Sequence, residues 1–371
     1  MMAGGREAPQ IAVNTRRIGA GASVYVIAEM SANHGQSFDQ AIKILQAAKE
    51  AGADAVKLQT YTPDTMTIDC DEEPFRVKGT LWAGRTLYDL YSEAYTPWDW
   101  QPKLKATAEE IGLDLFSTPF DETAVDFLEK MGTPAYKIAS FEVVDLPLLR
   151  RIARTGKPII MSTGMATLAE IDEAVQTIRE AGGTQLALLK CTSAYPALPE
   201  QMNLHTIPHL AEAFDVPVGL SDHTLGTPVP VAATVLGASI VEKHITLSRA
   251  DGGPDSAFSM EPAEFKAMVE AIRVAEKALG AVQYGVNDEE TKTRAFRRSL
   301  FVVKDLREGE VFTEENIRSI RPGCGLHTRH LHEILGQNAS RDVPRGTPLS
   351  WDIITRGRGT GPSRRTTIYE G

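Results

Sequence analysis

The chain has 371 residues, ordinary proportions of hydrophobic (42%) and charged (24%) residues, and a formal net charge of −10, values that fit a folded globular protein and argue against general nucleic-acid binding. No apolar run approaches the roughly 20 residues that cross a bilayer, and the opening MMAGGREAPQ lacks the apolar core of a secretory signal, so a cytoplasmic protein without a membrane partner is expected. Three widely spaced cysteines, Cys70, Cys191 and Cys324, with no C-x-x-C, argue against a disulfide frame and a thiolate metal site.

From residue 24 one unit repeats, a short β-branched run followed by an amphipathic helical stretch. The predicted strands are VYVIAEM (24–30), AVKLQTY (55–61), LDLFSTP (113–119), AYKIAS (135–140), PIIMST (158–163), LALLKC (186–191), VPVGLSD (216–222) and SIVEKHIT (239–246). Helical stretches lie between them. FDQAIKILQAAKEAG (38–52) puts Ala41, Ile44, Leu45 and Ala48 on one face, with Gly52 as its C-terminal stop. Near-continuous apolar strands alternating with helices imply a covered parallel sheet, and eight repeats imply an α/β fold, a (β/α)8 TIM barrel over residues 1–280. The alternative, an open doubly wound sheet, would be expected to show a Gly-rich first turn.

Between the second and third strands, residues 62–96 exceed an ordinary connection, and Tyr88, Tyr91, Tyr95, Trp98 and Trp100 form an aromatic cluster suited either to packing the insert or to a substrate lid. A helix over 97–111 follows, and the eighth helix spans 261–279. Residues 281–296 read as a polar linker and 297–355 as a compact β-rich module with a turn at Glu308-Gly309. The Arg/Gly-rich 356–371 reads as a flexible basic tail.

In a barrel the C-terminal ends of the strands share one rim, so polar residues there converge from distant parts of the sequence. Those ends carry Glu29; Lys57 and Gln59; Thr118; Lys137 and Ser140; Ser162; Ser193 and Tyr195; Ser221 and His223; and Glu242 and His244. The strands bearing His223 and His244 are neighbours, about 4.8 Å apart, and two imidazoles at that separation can grip one divalent cation with coordination sites left open. Satisfied structural histidines are the alternative. Lys57 and Lys137, with the hydroxyls around them, supply the positive, donor-rich patch that an acidic chain needs for a phosphate-bearing substrate, unless they only pair with Glu29 or Glu242. Lys190 also ends a strand and leaves open a metal-free Schiff-base aldolase.

Taken together, AEMSANHGQ (28–36), DAVKLQTYTPDT (54–65), LYDLYSEAYTPW (87–98), FSTPFD (116–121), YKIASFE (136–142), MSTGM (161–165), LLKCTSAYP (188–196), GLSDHTLG (219–226), EKHITLSRADGGPDSAFS (242–259) and SIRPGCGL (319–326) resemble the sialic acid synthase family, over roughly residues 20–355. Within it the segments are most similar to the pseudaminic acid branch; Met30 departs from the commoner aliphatic residue, and Ser193 stands where the neuraminate branch has asparagine. The resemblance implies a transferase condensing phosphoenolpyruvate with an acetamido sugar aldehyde, 2,4-diacetamido-2,4,6-trideoxy-L-altrose in this branch, and releasing phosphate. N-acetylneuraminate or legionaminate synthesis is the alternative. It also implies a divalent metal cation, Mn2+ first and Mg2+ or Co2+ otherwise, held by His223 and His244. Lys57, Gln59, Thr118, Lys137, Ser140, Ser162, Ser193 and Ser221 would surround phosphoenolpyruvate, with Glu29 at the reacting carbons and Tyr195 and Asp255 by the sugar or metal. Finally, it implies that residues 297–355 form an antifreeze-like SAF domain, which in a domain-swapped homodimer brings Arg321 to the sugar of the other subunit.

Overall fold

The computed structural model describes residues 8–355. They divide after Gly280 into two compact units. The first opens with an antiparallel hairpin, β1 (Gln10–Val13) and β2 (Arg16–Gly19), turned by Asn14 at φ 50°. Eight parallel strands then close a barrel: β3 (Tyr25–Glu29), β4 (Ala55–Thr60), β5 (Asp114–Pro119), β6 (Tyr136–Ile138), β7 (Ile159–Ser162), β8 (Leu186–Cys191), β9 (Val218–Asp222) and β10 (Ile240–His244), with β10 pairing back onto β3. Every strand falls inside its predicted segment.

Side-chain alternation sorts each strand into two faces. Val26, Val56, Leu58, Leu115 and Val241 face outward onto helices, including Phe38–Glu50 and Pro262–Leu279. The first of these starts at Ser37, whose side chain accepts the Gln40 N–H, and it buries the predicted Ala41, Ile44, Leu45 and Ala48. Gly52 follows at φ 87°, the left-handed position that ends such a helix. Ile27, Ala55, Phe116, Ala135, Ile160, Ala187, Leu189 and Ile240 face inward and fill the barrel together with Ile11, Val13 and Ile18 of the hairpin. The hairpin thus belongs to the interior, each large apolar side chain adding roughly 1.5–3 kcal/mol of burial. Polar contacts bind it to the barrel: Arg16 reaches Asp54 at 2.9 Å and Asp114 at 3.2 Å, and Asn14 donates to Asp114 at 2.6 Å.

The long connection after β4 contains short helices at Pro63–Met66 and Leu87–Ala94. Of its aromatic residues, Trp98 donates to the Tyr61 carbonyl at 3.0 Å and Trp100 packs edge-on against His34 and Phe38, which is packing of the insert. The predicted helix over 97–111 is Gln101–Glu110.

In the second unit a helix, Asp288–Thr293, occupies part of the segment read from sequence as linker. Beyond it, β11 (Ser299–Val302) pairs with β12 (Ile317–Ile320) and β13 (Asn338–Ala339) with β14 (Ile354–Thr355), both antiparallel. They enclose Leu300, Val302, Phe312, Ile317, Ile334 and Ile353. Gly309, in the predicted turn, has φ 82°. The predicted tail, 356–371, lies outside the described residues.

Candidate active site

The inward face that carries apolar residues through the middle of the barrel turns polar at the C-terminal strand ends. Continuing it upward gives Glu29 above Ile27, Lys57 and Gln59 above Ala55, Thr118 above Phe116, Lys137 above Ala135, Ser162 above Ile160, Ser221 above Gly219, and Glu242 and His244 above Ile240. Lys57 Nζ lies 3.2 Å from Glu29 Oε2 and 3.1 Å from Glu242 Oε1, and Lys137 Nζ lies 3.4 Å from the same Glu242 oxygen. All four groups are nearly inaccessible to water. Burial presses the Glu242 carboxyl upward, yet Lys137 and Lys57 together hold it below its ordinary value. Glu29 goes the other way: burial raises it to about 7, with Lys57 only partly opposing. One carboxylate is therefore a fixed counter-charge, and the other can exchange a proton near neutral pH.

Beside the lysines the backbone opens an anion cradle. Lys137 Nζ donates to Ser162 Oγ at 2.8 Å, and the Gly164 N–H donates to Ser140 Oγ at 3.0 Å. A Cβ on Gly164 would lie 2.3 Å from Ser193 Oγ and 2.7 Å from Ser140 Oγ, so the absence of a side chain lets three loops converge. Thr118 Oγ1 is buried without a hydrogen-bond partner. Two ammonium groups and this set of hydroxyls suit a phosphate or carboxylate.

The two histidines face each other across β9 and β10, ring centroids 5.4 Å apart. His223 Nδ1 lies 2.9 Å from the Thr192 carbonyl, the contact that places the proton on Nδ1 and leaves the Nε2 lone pair available in the neutral ring. Burial lowers the His223 pKa, but Cys191 Sγ and the Thr192 carbonyl outweigh it and leave the ring raised. His244 is held neutral by burial and by the positive charge around it, and its Nδ1 is buried with no hydrogen-bond partner, 4.0 Å from Asp255 Oδ2. A neutral imidazole with an unsatisfied buried nitrogen, beside a second imidazole oriented by a carbonyl, fits a divalent cation. Among the described residues no group of three or more His, Cys, Asp or Glu side chains is arranged as a metal site, so the pair would furnish only part of a coordination sphere.

On the far side of the histidines Tyr195 packs at a tilt on His223, 4.4 Å between centroids, and on Phe258 at 5.1 Å. Trp82, from the long insert, covers Tyr195 at 5.6 Å and donates to the Pro254 carbonyl at 2.8 Å. The insert therefore has a second role besides packing, as a wall over the mouth. Asp255 accepts from Ser31 Oγ, which in turn accepts from Gln59 Nε2 at 2.9 Å.

Two sequence candidates stand apart. Lys190 alternates with the inward Leu189 and Cys191 and so lies on the helix-facing side of β8, with Nζ turned onto the Cys191 carbonyl (2.7 Å) and the Thr192 hydroxyl (3.2 Å). That removes it from the mouth and corrects the Schiff-base alternative. Arg321 follows β12 in the second unit, where it is exposed. Three residues not singled out from sequence belong to the site. Ser31 bridges Gln59 and Asp255, Gly164 forms the cradle, and Glu142 carries a largely buried carboxyl that burial raises to about 7 despite Lys137. A glycine directly after a strand-end Ser-Thr was the available signal for the second; nothing local marks the others.

Residues 44–284 match the NeuB family and residues 297–354 the SAF domain. The chain is 49% identical over 332 residues to a pseudaminic acid synthase of Helicobacter pylori, covering 89% of this chain and 98% of that one. It is 37% identical over 341 residues to an N,N'-diacetyllegionaminic acid synthase of Legionella pneumophila, covering 91% and 96%. A crystal structure of an N-acetylneuraminic acid (sialic acid) synthetase of Leptospira borgpetersenii in complex with citrate superposes with a TM-score of 0.69 at 29% identity, covering 77% of this chain and 95% of that one.

Proposed function

The chain belongs to the NeuB family, and from that premise we propose that it acts as a pseudaminic acid synthase, condensing phosphoenolpyruvate with 2,4-diacetamido-2,4,6-trideoxy-L-altrose and releasing phosphate. The observation that carries this is the division of one barrel mouth into a lysine and serine cradle for an anion and a paired-imidazole side walled by Tyr195 and Trp82. The choice of sugar is supported by the wide gap between the 49% and 37% identities to relatives named for different products.

In this reading Lys57, Lys137, Ser140, Ser162 and Ser193 grip the phosphate and carboxylate, with Thr118, Ser221 and Gln59 lining the same pocket and the Gly164 N–H orienting the Ser140 hydroxyl. A divalent cation, Mn2+ first and Mg2+ or Co2+ otherwise, would be held by His223 and His244 and would supply Lewis-acid polarisation of the aldehyde oxygen. Attack by carbon 3 of phosphoenolpyruvate leaves positive charge at carbon 2, which the Glu29 carboxylate stabilises; poised near neutrality, it also accepts the proton of the water that adds there. Asp255 and Tyr195 orient the sugar, and the Trp82 and Phe258 rings help to exclude bulk water.

The same reading makes the protein a domain-swapped homodimer, with Arg321 of one protomer reaching the sugar in its partner. Support comes from exposed apolar side chains on the segments after β6 to β9, namely Phe141, Val144, Met165, Leu168, Leu198 and Leu225, at the C-terminal ends of four of the eight strands. The free thiols of Cys70, Cys191 and Cys324 favour a cytoplasmic, reducing setting.

Incubation with phosphoenolpyruvate, Mn2+ and a panel of acetamido sugars should release phosphate fastest with the altrose derivative and stop on EDTA treatment. Preference for a mannosamine would move the protein to a different branch, and undiminished turnover after complete metal removal would overturn the role given to the histidines.

A further inference from the structure

We infer that Ser31 is a positioning residue for the sugar side of the site, holding an unfavourable backbone conformation while its hydroxyl points at Asp255; the inference rests on the synthase reading above. Ser31 directly follows the turn out of β3 and is 4% exposed. Its φ is 45°, in the left-handed region that residues with side chains rarely adopt and that glycine occupies freely.

The loop's shape does not require the hydroxyl. Met30 N–H bonds to the Lys57 carbonyl at 3.1 Å, and Asn33 Nδ2 bonds to the Ile245 carbonyl and Ser259 Oγ, each at 2.9 Å. Glycine at 31 would satisfy the backbone better. What the hydroxyl adds is a directed chain of hydrogen bonds. Gln59 Nε2 donates one proton to Glu29 Oε1 and the other to Ser31 Oγ, both at 2.9 Å. Ser31 Oγ must then donate its own proton onward, and it does so to Asp255 Oδ2. The Ala32 backbone N–H is close enough to favour the ionised Asp255 carboxyl. Only a group that accepts and donates through one atom can occupy the middle of this chain, which a hydroxyl does and alanine or glycine does not. Asp255 in turn sits 4.0 Å from His244 Nδ1, so Ser31 links the carboxylate nearest the imidazole pair to the glutamine beside Glu29.

The test compares Ser31→Gly with Ser31→Ala in the full-length, Mn2+-loaded protein, measuring melting temperature and KM for each substrate. Both variants lack the hydroxyl, but only glycine relieves the backbone. S31G should therefore melt above S31A, while both raise KM for the altrose derivative by about tenfold, the size expected for one charge-assisted hydrogen bond, and leave KM for phosphoenolpyruvate within about twofold. A sugar KM near wild type in S31G overturns the inference, as does a loss in both substrates that follows melting temperature. Wild-type protein that releases no phosphate with any sugar overturns the synthase reading and this role with it, whereas normal wild-type turnover with an unaffected S31G removes Ser31 alone.

Discussion

Glu142 shows how a single buried carboxyl leaves a signature in stability. Burial lifts it from 4.5 to about 7. Below pH 4.5 it is protonated whether the chain is folded or not; between 4.5 and 7 the folded state binds the extra proton, so stability falls as pH rises through that window and the loss is complete above it. Urea unfolding at pH 5 and pH 8 should show Glu142→Gln losing about 2–3 kcal/mol less than the wild type across the interval. A variant as pH-sensitive as the parent would refute this placement. Glu29, raised to about 7 by the same cause, accounts for a slope that persists in the variant. His244→Ala makes a different prediction, loss of phosphate release and of Mn2+ binding with an unchanged far-ultraviolet spectrum, because it removes an imidazole whose Nδ1 already lacks a hydrogen-bond partner. Glu29, Lys57, Lys137, Ser162 and the histidines were legible in the sequence because each continues an inward strand periodicity. Ser31 and Glu142 were not, because a backbone dihedral and long-range burial give them their meaning.

At the scale of elements, two glycines separate what holds the barrel from what serves its mouth. Gly219 lies within β9, where a Cβ would come 2.4 Å from the Ile240 carbonyl oxygen and 2.6 Å from Ile240 Cβ. Backbone and a β-branched stem on the neighbouring strand cannot yield, so Gly219→Ala should destabilise by about 2 kcal/mol or more, read as a lowered melting temperature. At Gly164 a Cβ would instead meet two serine hydroxyls, which can rotate away, and Ser140 Cβ at 3.1 Å, a far looser contact than those at Gly219. Gly164→Ala should melt near wild type yet raise KM for phosphoenolpyruvate about tenfold, since those hydroxyls are displaced from the anion cradle. A fall in melting temperature equal to that of G219A would show the cradle to be structural. The eight strands were readable because parallel strands buried on both faces are written as apolar runs. The hairpin of β1 and β2 was passed over because four-residue strands carry too short a pattern, although Asn14 at the turn and the alternation of Ile11 and Val13 were present.

For the whole molecule, the barrel followed from counting strands and the second unit from a change of texture, but the proposed sharing of a site between subunits would depend on surfaces that form only after folding. The exposed apolar side chains after β6 to β9 and the exposed Arg321 are the candidates. The proposed domain swap, with the second unit as a cap, has a consequence that capping within one chain lacks. Arg321→Ala leaves a sound barrel with a defective cap, and His244→Ala leaves a sound cap with a defective barrel. In a swapped heterodimer the sound cap of the second protomer covers the sound barrel of the first, giving one complete site in two. Unfolding and refolding the two inactive variants together in equal amounts should make half the dimers mixed, restoring about a quarter of wild-type phosphate release. If each chain caps its own barrel, no pairing brings the sound halves together, and the mixture stays as inactive as its components.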